Sequence, residues 1–255
     1  LMLELDGLTR RFDDVTAVDG LSVTIAGGRL VALIGANGAG KTTTLNMLTT
    51  LLAPSAGTAR VAGHDIATEV MAVRRVLGYV PEHGAVYEGL TAREYLELAG
   101  LVHDLAPDVA GRRAERLLDH FALGDVLDDR LGTFSKGMRR KVLVTAALLH
   151  DPPVLFLDEP MDGLDVASQR RLADLLRQLV AGGKTVVYSS HVLQQVEEIC
   201  QDLLLIHEGR LLWSGAIDAL RREHGGRSLT DVFLAMTHQE GAAAVSWSDL
   251  LGERP

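Results

Sequence analysis

Apolar and polar residues alternate at Leu3 and Leu5 and again through Leu21, Val23 and Ile25. That period of two predicts antiparallel strands with one solvated face. Leu30-Val31-Ala32-Leu33-Ile34 breaks the alternation, and such an unbroken apolar run suits a strand buried on both faces. It leads into a glycine-rich turn, after which Leu45, Leu48 and Leu52 recur at helical spacing from Lys41 until Pro54 ends the pattern. From Glu82 to His150 the strand signal fades and three helical stretches replace it. Thr91 with Glu94 forms a capping box that starts the first, through Leu98 and Leu101; Val109, Leu117, Leu118 and Phe121 mark the second; the third begins near Ser135. Beyond Asp151-Pro152-Pro153 the buried runs return as Val154-Leu155-Phe156-Leu157 and Thr185-Val186-Val187-Tyr188. Between them Leu172, Leu175, Leu176 and Leu179 line one helix face closed by Gly182-Gly183. The alternation predicts an α/β fold whose mostly parallel sheet is flanked by helices. Leu203 to Leu212, with Glu208-Gly209-Arg210 at its middle, reads as a hairpin; a short capped helix follows from Ser228 to Met236, and Gly241 to Pro255 is expected to be loosely held.

Composition narrows the class. The 255 residues are 47% hydrophobic and 23% charged, enough apolar material for a sizeable core and too much for a disordered chain. No apolar run approaches the roughly 18 residues that a membrane span requires, and the N-terminus lacks the pattern of a secretory signal. The chain is therefore expected neither to span a membrane nor to be exported. A leucine precedes Met2, so position 1 is expected not to be the natural start. The single cysteine, Cys200, forms no internal disulfide, which fits a reducing, cytoplasmic compartment. A formal net charge of −9 argues against an extended nucleic-acid face, because phosphate contacts need clustered positive charge. Small anions can still bind locally.

The glycines locate such a site. Gly35-Ala36-Asn37-Gly38-Ala39-Gly40-Lys41-Thr42-Thr43 fits the P-loop pattern between a buried strand and a helix. Glycines let backbone N–H groups close on phosphate oxygens and the helix N-terminus favours negative charge. Lys41 reaches the β- and γ-phosphates, and Thr42 can hold Mg²⁺. A purely structural turn is the alternative. The strand Val154 to Leu157 ends in Asp158-Glu159, adjacent carboxylates that are expensive to bury unless they meet a cation or a reacting water. Asp158 is the candidate for Mg²⁺, through water, and Glu159 for the general base or water-orienting group. An acidic surface turn is the competing reading. Phe134-Ser135-Lys136-Gly137-Met138-Arg139-Arg140-Lys141, taken alone, reads as a capped helix start with a basic solvated face.

The order of these pieces makes the reading specific. A P-loop is followed by a helical insertion ending in Ser135-Lys136-Gly137-Met138, then by Asp158-Glu159, Gly163-Leu164-Asp165 and His191. From about residue 3 to residue 215 this order resembles the nucleotide-binding subunit of an ABC transporter. The resemblance implies a P-loop NTPase core with an antiparallel β-layer and an inserted helical subdomain. Residues 1–82 and 151–215 would form the two parts of the ATP-binding core, 83–150 the helical signature subdomain, and 216–255 a short C-terminal helix and tail. It further implies that two such subunits stack head to tail, as a homodimer or with a similar ATPase subunit. Each ATP would then lie between one chain's P-loop and the other's signature. Ser135 and the backbone at Gly137 would bind the γ-phosphate of the partner's ATP. Asp165 would sit at the dimer interface, and His191 would contact the γ-phosphate and the attacking water. Of the nine histidines only His191 has such a placement. Phe12 lies where the family's aromatic stacks on adenine; a β-layer core residue is its other reading.

Departures from the pattern refine the subgroup. Glu82 stands where the family usually has a glutamine that contacts the metal, and a carboxylate accepts but cannot donate as an amide does. The signature reads Phe-Ser-Lys-Gly-Met in place of the commoner Leu-Ser-Gly-Gly-Gln. With Tyr79-Val80-Pro81-Glu82 and the ending Ser228 to Leu234, this resembles ATPases paired with separate membrane permeases in export systems. Such a subunit works peripherally on the cytoplasmic face of the membrane. His83 to Val102 would receive a short permease helix, with Tyr87 and Leu90 as contacts. A soluble mechanical ATPase of the same family, acting on nucleic acid or ribosomes, is the competing function. It would bring a second cassette or a long coiled-coil insertion, and neither is present in the sequence. A GTPase would carry an Asn-Lys-x-Asp motif, which is also missing.

Overall fold

The structure is a computed structural model and describes residues 1–237. The chain opens with β1 (Leu3–Phe12), β2 (Val15–Ile25), the buried β3 (Leu30–Ile34), α1 (Lys41–Leu48), β4 (Ala56–Val61) and β5 (His64–Asp65). α2 (Val70–Val76) and β6 (Leu77–Val80) precede three longer helices, α3 (Ala92–Val102), α4 (Pro107–His120) and α5 (Lys136–Leu148). β7 (Val154–Asp158), α6 (Val166–Ala181), β8 (Thr185–Ser189) and α7 (Leu193–Ile199) follow. The described residues end with β9 (Asp202–His207), β10 (Arg210–Ala216), α8 (Ile217–Glu223) and α9 (Leu229–Met236).

The strands form two sheets. One has the order β2-β1-β4-β5 and is antiparallel; the other runs β10-β9-β3-β8-β7-β6. In the second sheet the pairs from β9 to β6 are parallel and only β10 runs against its neighbour. Every residue of β3, β7 and β8 is buried, as their unbroken apolar runs require. The Glu208-Gly209 turn between β9 and β10 takes φ of 47° and 77°, the left-handed pair that a tight two-residue hairpin needs.

One core lies between the two sheets, with Leu8, Val18, Val31, Leu33, Leu45 and Phe156 at its centre. A second packs α6, α7 and α9 on the other face of the parallel sheet. A third joins α3, α4 and α5 through Leu96, Leu118, Leu131, Phe134 and Val142. The capping box at α3 is present: Thr91 Oγ1 accepts from Glu94 N, and Glu94 in turn accepts from Thr91 N. Ser135 and Ser228 cap α5 and α9 in the same side-chain-to-backbone manner. The helix after the P-loop is shorter than its leucine spacing predicts. It ends at Leu48, and Thr50 turns the chain with a φ of 61°. The stretch 241–255, expected to be loosely held, lies outside the described residues.

α5 and α3 meet the parallel sheet at a pair of histidines. His150 Nε2 donates to Leu77 O at 2.9 Å, and its ring stacks on His103 with centroids 3.6 Å apart and planes 6° from parallel. Burial, with the neighbouring His103, pushes the His150 pKa down from its ordinary 6.5 to about 4. Between pH 6.5 and about 4 the folded chain therefore holds fewer protons here than the unfolded chain, so this contribution to stability is complete above that window and is lost as pH falls through it. His150→Asn keeps an N–H for Leu77 O and removes the titration. Its melting temperature should decline less than the wild type's between pH 7 and pH 4.5; parallel declines would show that the pair does not set acid lability.

Candidate functional site

The parallel sheet decides where the chemistry gathers. β3, β8, β7 and β6 are neighbours running the same way, so the segments leaving their C-terminal ends converge on one edge. Those segments are the P-loop after β3, Glu82 after β6, Glu159 after β7 and His191 after β8. Together they wall a cavity of about 370 Å³, lined by Ala17, Asn37, Gly38, Gly40, Lys41, Thr42, Thr43, Glu82, Asp158, Glu159 and His191.

The P-loop backbone needs glycine at Gly40, the residue preceding α1. Its φ is 102°, and a Cβ there would lie 2.5 Å from Ala17 O. The loop closes at the N-terminal end of α1, beside the cavity, and the unpaired first-turn N–H groups of a helix favour an anion there. The buried Lys41 ammonium donates to Gly35 O at 2.8 Å and Ala36 O at 3.2 Å. Burial pushes its pKa down, against the pull of Glu159, Asp158 and Glu82. Ala39 is packed beneath the loop and its N–H donates to Ala36 O. Thr42 Oγ1 donates to Asp158 Oδ2 at 2.9 Å, which brings two of the three predicted metal-binding residues together across two elements.

Glu159 follows β7 with a φ of 47°, a left-handed backbone that is uncommon outside glycine. Its N–H donates to Ser189 O, tying the turn to β8. The carboxylate is held from three sides. His191 N donates to Oε1 at 2.8 Å, His191 Nδ1 approaches Oε1 at 2.7 Å, and Ser190 Oγ donates to Oε2 at 3.2 Å. Against a carboxylate acceptor Nδ1 is the donor of this pair, which leaves Nε2 as the ring nitrogen not engaged by Glu159. Ser190 is a site residue the sequence did not reveal, because a lone serine after a buried strand carries no pattern.

Six predicted residues lie outside the cavity wall: Gly35 and Ala39 within the P-loop itself, and Phe12, Ser135, Gly137 and Asp165 beyond it. Phe12 is 42% exposed, which removes the core-residue alternative, and the Arg10 guanidinium sits 4.5 Å from its ring centroid. Ser135 is exposed at the start of α5, where its Oγ accepts from Met138 N at 3.2 Å. Gly137 is forced by close approach: a Cβ there would lie 2.5 Å from Gly163 O. The start of α5 therefore packs on the Gly163-Leu164-Asp165 loop, and Lys136 Nζ pairs with Asp162 at 2.6 Å beside it. Asp165 caps α6, accepting from Ser168 N at 2.9 Å and Ser168 Oγ at 2.7 Å. The basic run after Ser135 is not a solvated face throughout: Arg140 is 4% and Lys141 9% exposed.

A second concavity, about 630 Å³, opens between α3, α5 and the β6 edge. Tyr79, Tyr87, Tyr95, Leu98, Val102, Leu143 and His150 contribute to its wall. Tyr87, Leu98, Leu101 and Val102 are exposed, although helical periodicity alone would have assigned α3's leucines to a core. Leu90 borders an adjoining hollow with Tyr87 and Leu98. Among the described residues no helix is long and apolar enough to cross a membrane.

Comparison with known proteins agrees with this geometry. Residues 18–162 match the family model described as ABC transporter. The chain is 39% identical over 241 residues to a daunorubicin resistance ATP-binding protein of Streptomyces coeruleorubidus, covering 94% of this chain and 76% of that one. It is 36% identical to Nod factor export ATP-binding protein I of Paraburkholderia xenovorans, over 91% of this chain and 76% of the relative. A solved structure described as the ATP-binding subunit of an ABC transporter superposes with a TM-score of 0.88 at 33% identity, covering 93% of this chain and all of the other.

Proposed function

Because this chain belongs to the ABC transporter family, as an ATP-binding and ATP-hydrolysing subunit, we propose that it drives export as one half of a head-to-tail pair docked on a separate integral-membrane permease. The observation that carries this reading is a separation. The cavity holds the P-loop, Asp158, Glu159 and His191, while Ser135 and Gly137 stand at the exposed start of α5, away from it. A serine hydroxyl at the N-terminus of a 13-residue helix suits a phosphate oxygen, and no phosphate seated in the chain's own P-loop is walled by it. A second copy, inverted, brings its own Ser135 and Gly137 over that phosphate. The partner is this same chain or a similar ATPase subunit.

Within each composite site Lys41 and the P-loop N–H groups would bind the β- and γ-phosphates, and Phe12 would offer its exposed ring to adenine. Thr42 and Asp158 would hold Mg²⁺, an all-oxygen donor pair of the kind this hard cation selects, with Glu82 close by on the same wall. When bound, Mg²⁺ neutralises charge on the phosphate oxygens. Glu159, oriented by Ser190 and His191, would take the proton of the attacking water as its oxygen bonds to the γ-phosphorus and the bond from that phosphorus to the β–γ bridging oxygen breaks, releasing ADP. His191 Nε2 faces the reaction either as an acceptor from that water or, once protonated, as a donor to the γ-phosphate. Asp165, at the start of α6, would lie along the seam between the two chains.

ATP binding would close the pair and swing the helical body, 83–150, against the core; phosphate release would reopen it. The groove walled by Tyr87, Tyr95, Leu98 and Val102 would take a short apolar cytoplasmic segment of the permease. The chain would thereby be held peripherally on the cytoplasmic face. Tyr87→Asp combined with Leu98→Asp should move the protein from the membrane fraction to the soluble fraction in cells that hold the permease. Retention in the membrane fraction would contradict the groove assignment.

A further inference from the structure

Arg140 is the fifth residue of α5 and is 4% exposed. Its Nη1 donates to Pro81 O at 2.6 Å and its Nη2 to Glu82 O at 2.5 Å. Both acceptors are neutral carbonyls. Burial works against the guanidinium charge, while Asp162, Asp158, Glu82 and Glu159 favour it from a distance. A buried cation held by carbonyls alone is a poor source of stability, since an apolar side chain of similar volume would pack with less desolvation. What the guanidinium offers instead is a rigid fork that fixes two successive peptide units.

Those units belong to the residues that leave β6, where Glu82 enters the cavity wall. The N-terminus of the same helix, about one turn before Arg140, carries Ser135 and Gly137. Arg139 faces the opposite way, donating to Leu131 O and Gly132 O within the helical region, so among these neighbours Arg140 is the one that reaches the Glu82 segment. We propose that Arg140 is a positioning residue for ATP hydrolysis: it clamps the Pro81-Glu82 backbone to the signature helix, so that ATP seated on Ser135 and Gly137 by the partner sets the Glu82 carboxylate in this chain's own site. The transmission between sites rests on the head-to-tail pairing proposed above; the Arg140 to Glu82 clamp is internal to one chain.

A double-mutant cycle on the purified full chain tests it. Arg140→Met should lower kcat by about tenfold and leave the affinity of the single chain for ATP within about twofold. Glu82→Ala should lower kcat to a comparable extent, and the double variant should be no slower than the slower single variant. Arg140→Lys keeps the charge but loses the fork; it carries the same cycle if Arg140→Met does not fold, with a smaller loss that again vanishes in the Glu82→Ala background. Losses that multiply, or a fall in ATP affinity matching the fall in kcat, would overturn the role. ATP-driven association of Glu159→Gln is measured alongside. Its failure would strike the head-to-tail pairing, whereas multiplied losses in a chain that does associate would strike Arg140 alone.

Discussion

Glu159→Gln is expected to bind ATP, to turn it over about 10² to 10⁴ times more slowly than the wild type, and to accumulate as an ATP-bound pair. The substitution changes little but proton affinity. The glutamine oxygen can take the place of Oε1 and accept from His191 N and Nδ1, while its amide faces Ser190 Oγ, which can accept. The left-handed backbone at position 159 and the bond from its N–H to Ser189 O do not involve the side chain. Lys41, Thr42 and Asp158 remain in place to bind the nucleotide. What is lost is a group able to take a proton from water. Turnover at the wild-type rate would remove Glu159 from the chemistry.

Ser135→Arg is the second large effect, and it separates binding from hydrolysis. Ser135 caps α5 through Met138 N, so its loss costs about 1 kcal/mol of helix stability, and an added cation at a helix N-terminus is mildly unfavourable. Neither is enough to unfold an exposed site on a well-packed domain. In the pair, however, the arginine occupies the space where the partner's γ-phosphate is proposed to meet the hydroxyl and the α5 backbone. Hydrolysis should fall by at least about a hundredfold, whereas the isolated chain should bind ATP as before because Ser135 takes no part in its cavity wall. Loss of ATP binding by the single chain would place Ser135 in the chain's own site and undo the pairing.

Much of this arrangement was legible because it is local. The buried runs at Leu30–Ile34, Val154–Asp158 and Thr185–Ser189 became central strands. The P-loop glycines fell between a strand and a helix, and the serines before α5 and α9 became caps. Short elements stabilised by tertiary packing gave no such signal. α2 buries only Val73, and α8 only Ile217 and Leu220, too few positions to establish a helical period. The roles of Ser190 and Arg140 were hidden for a related reason. Arg140 meets Pro81 and Glu82 across 59 and 58 residues of chain, and Ser190 meets Glu159 across 31. A basic run such as Arg139-Arg140-Lys141 looks solvated until the fold shows that only part of it faces water. The order of motifs identified the family, whereas the contacts between motifs needed the three-dimensional arrangement.

The central claim is that each catalytic site is built from two chains, and mixing two inactive variants tests it directly. Lys41→Ala removes the P-loop cation and Ser135→Arg blocks the signature, so each alone should form no intact site. In a mixed head-to-tail pair, one site combines the intact Lys41 of the Ser135→Arg chain with the intact Ser135 of the Lys41→Ala chain, and both defects fall in the other site. An equimolar mixture should therefore recover ATPase activity, up to about a quarter of the wild-type rate if pairs form at random and sites act independently. Activity no greater than the sum of the two variants measured separately, in a mixture shown to contain mixed pairs, would contradict the composite site.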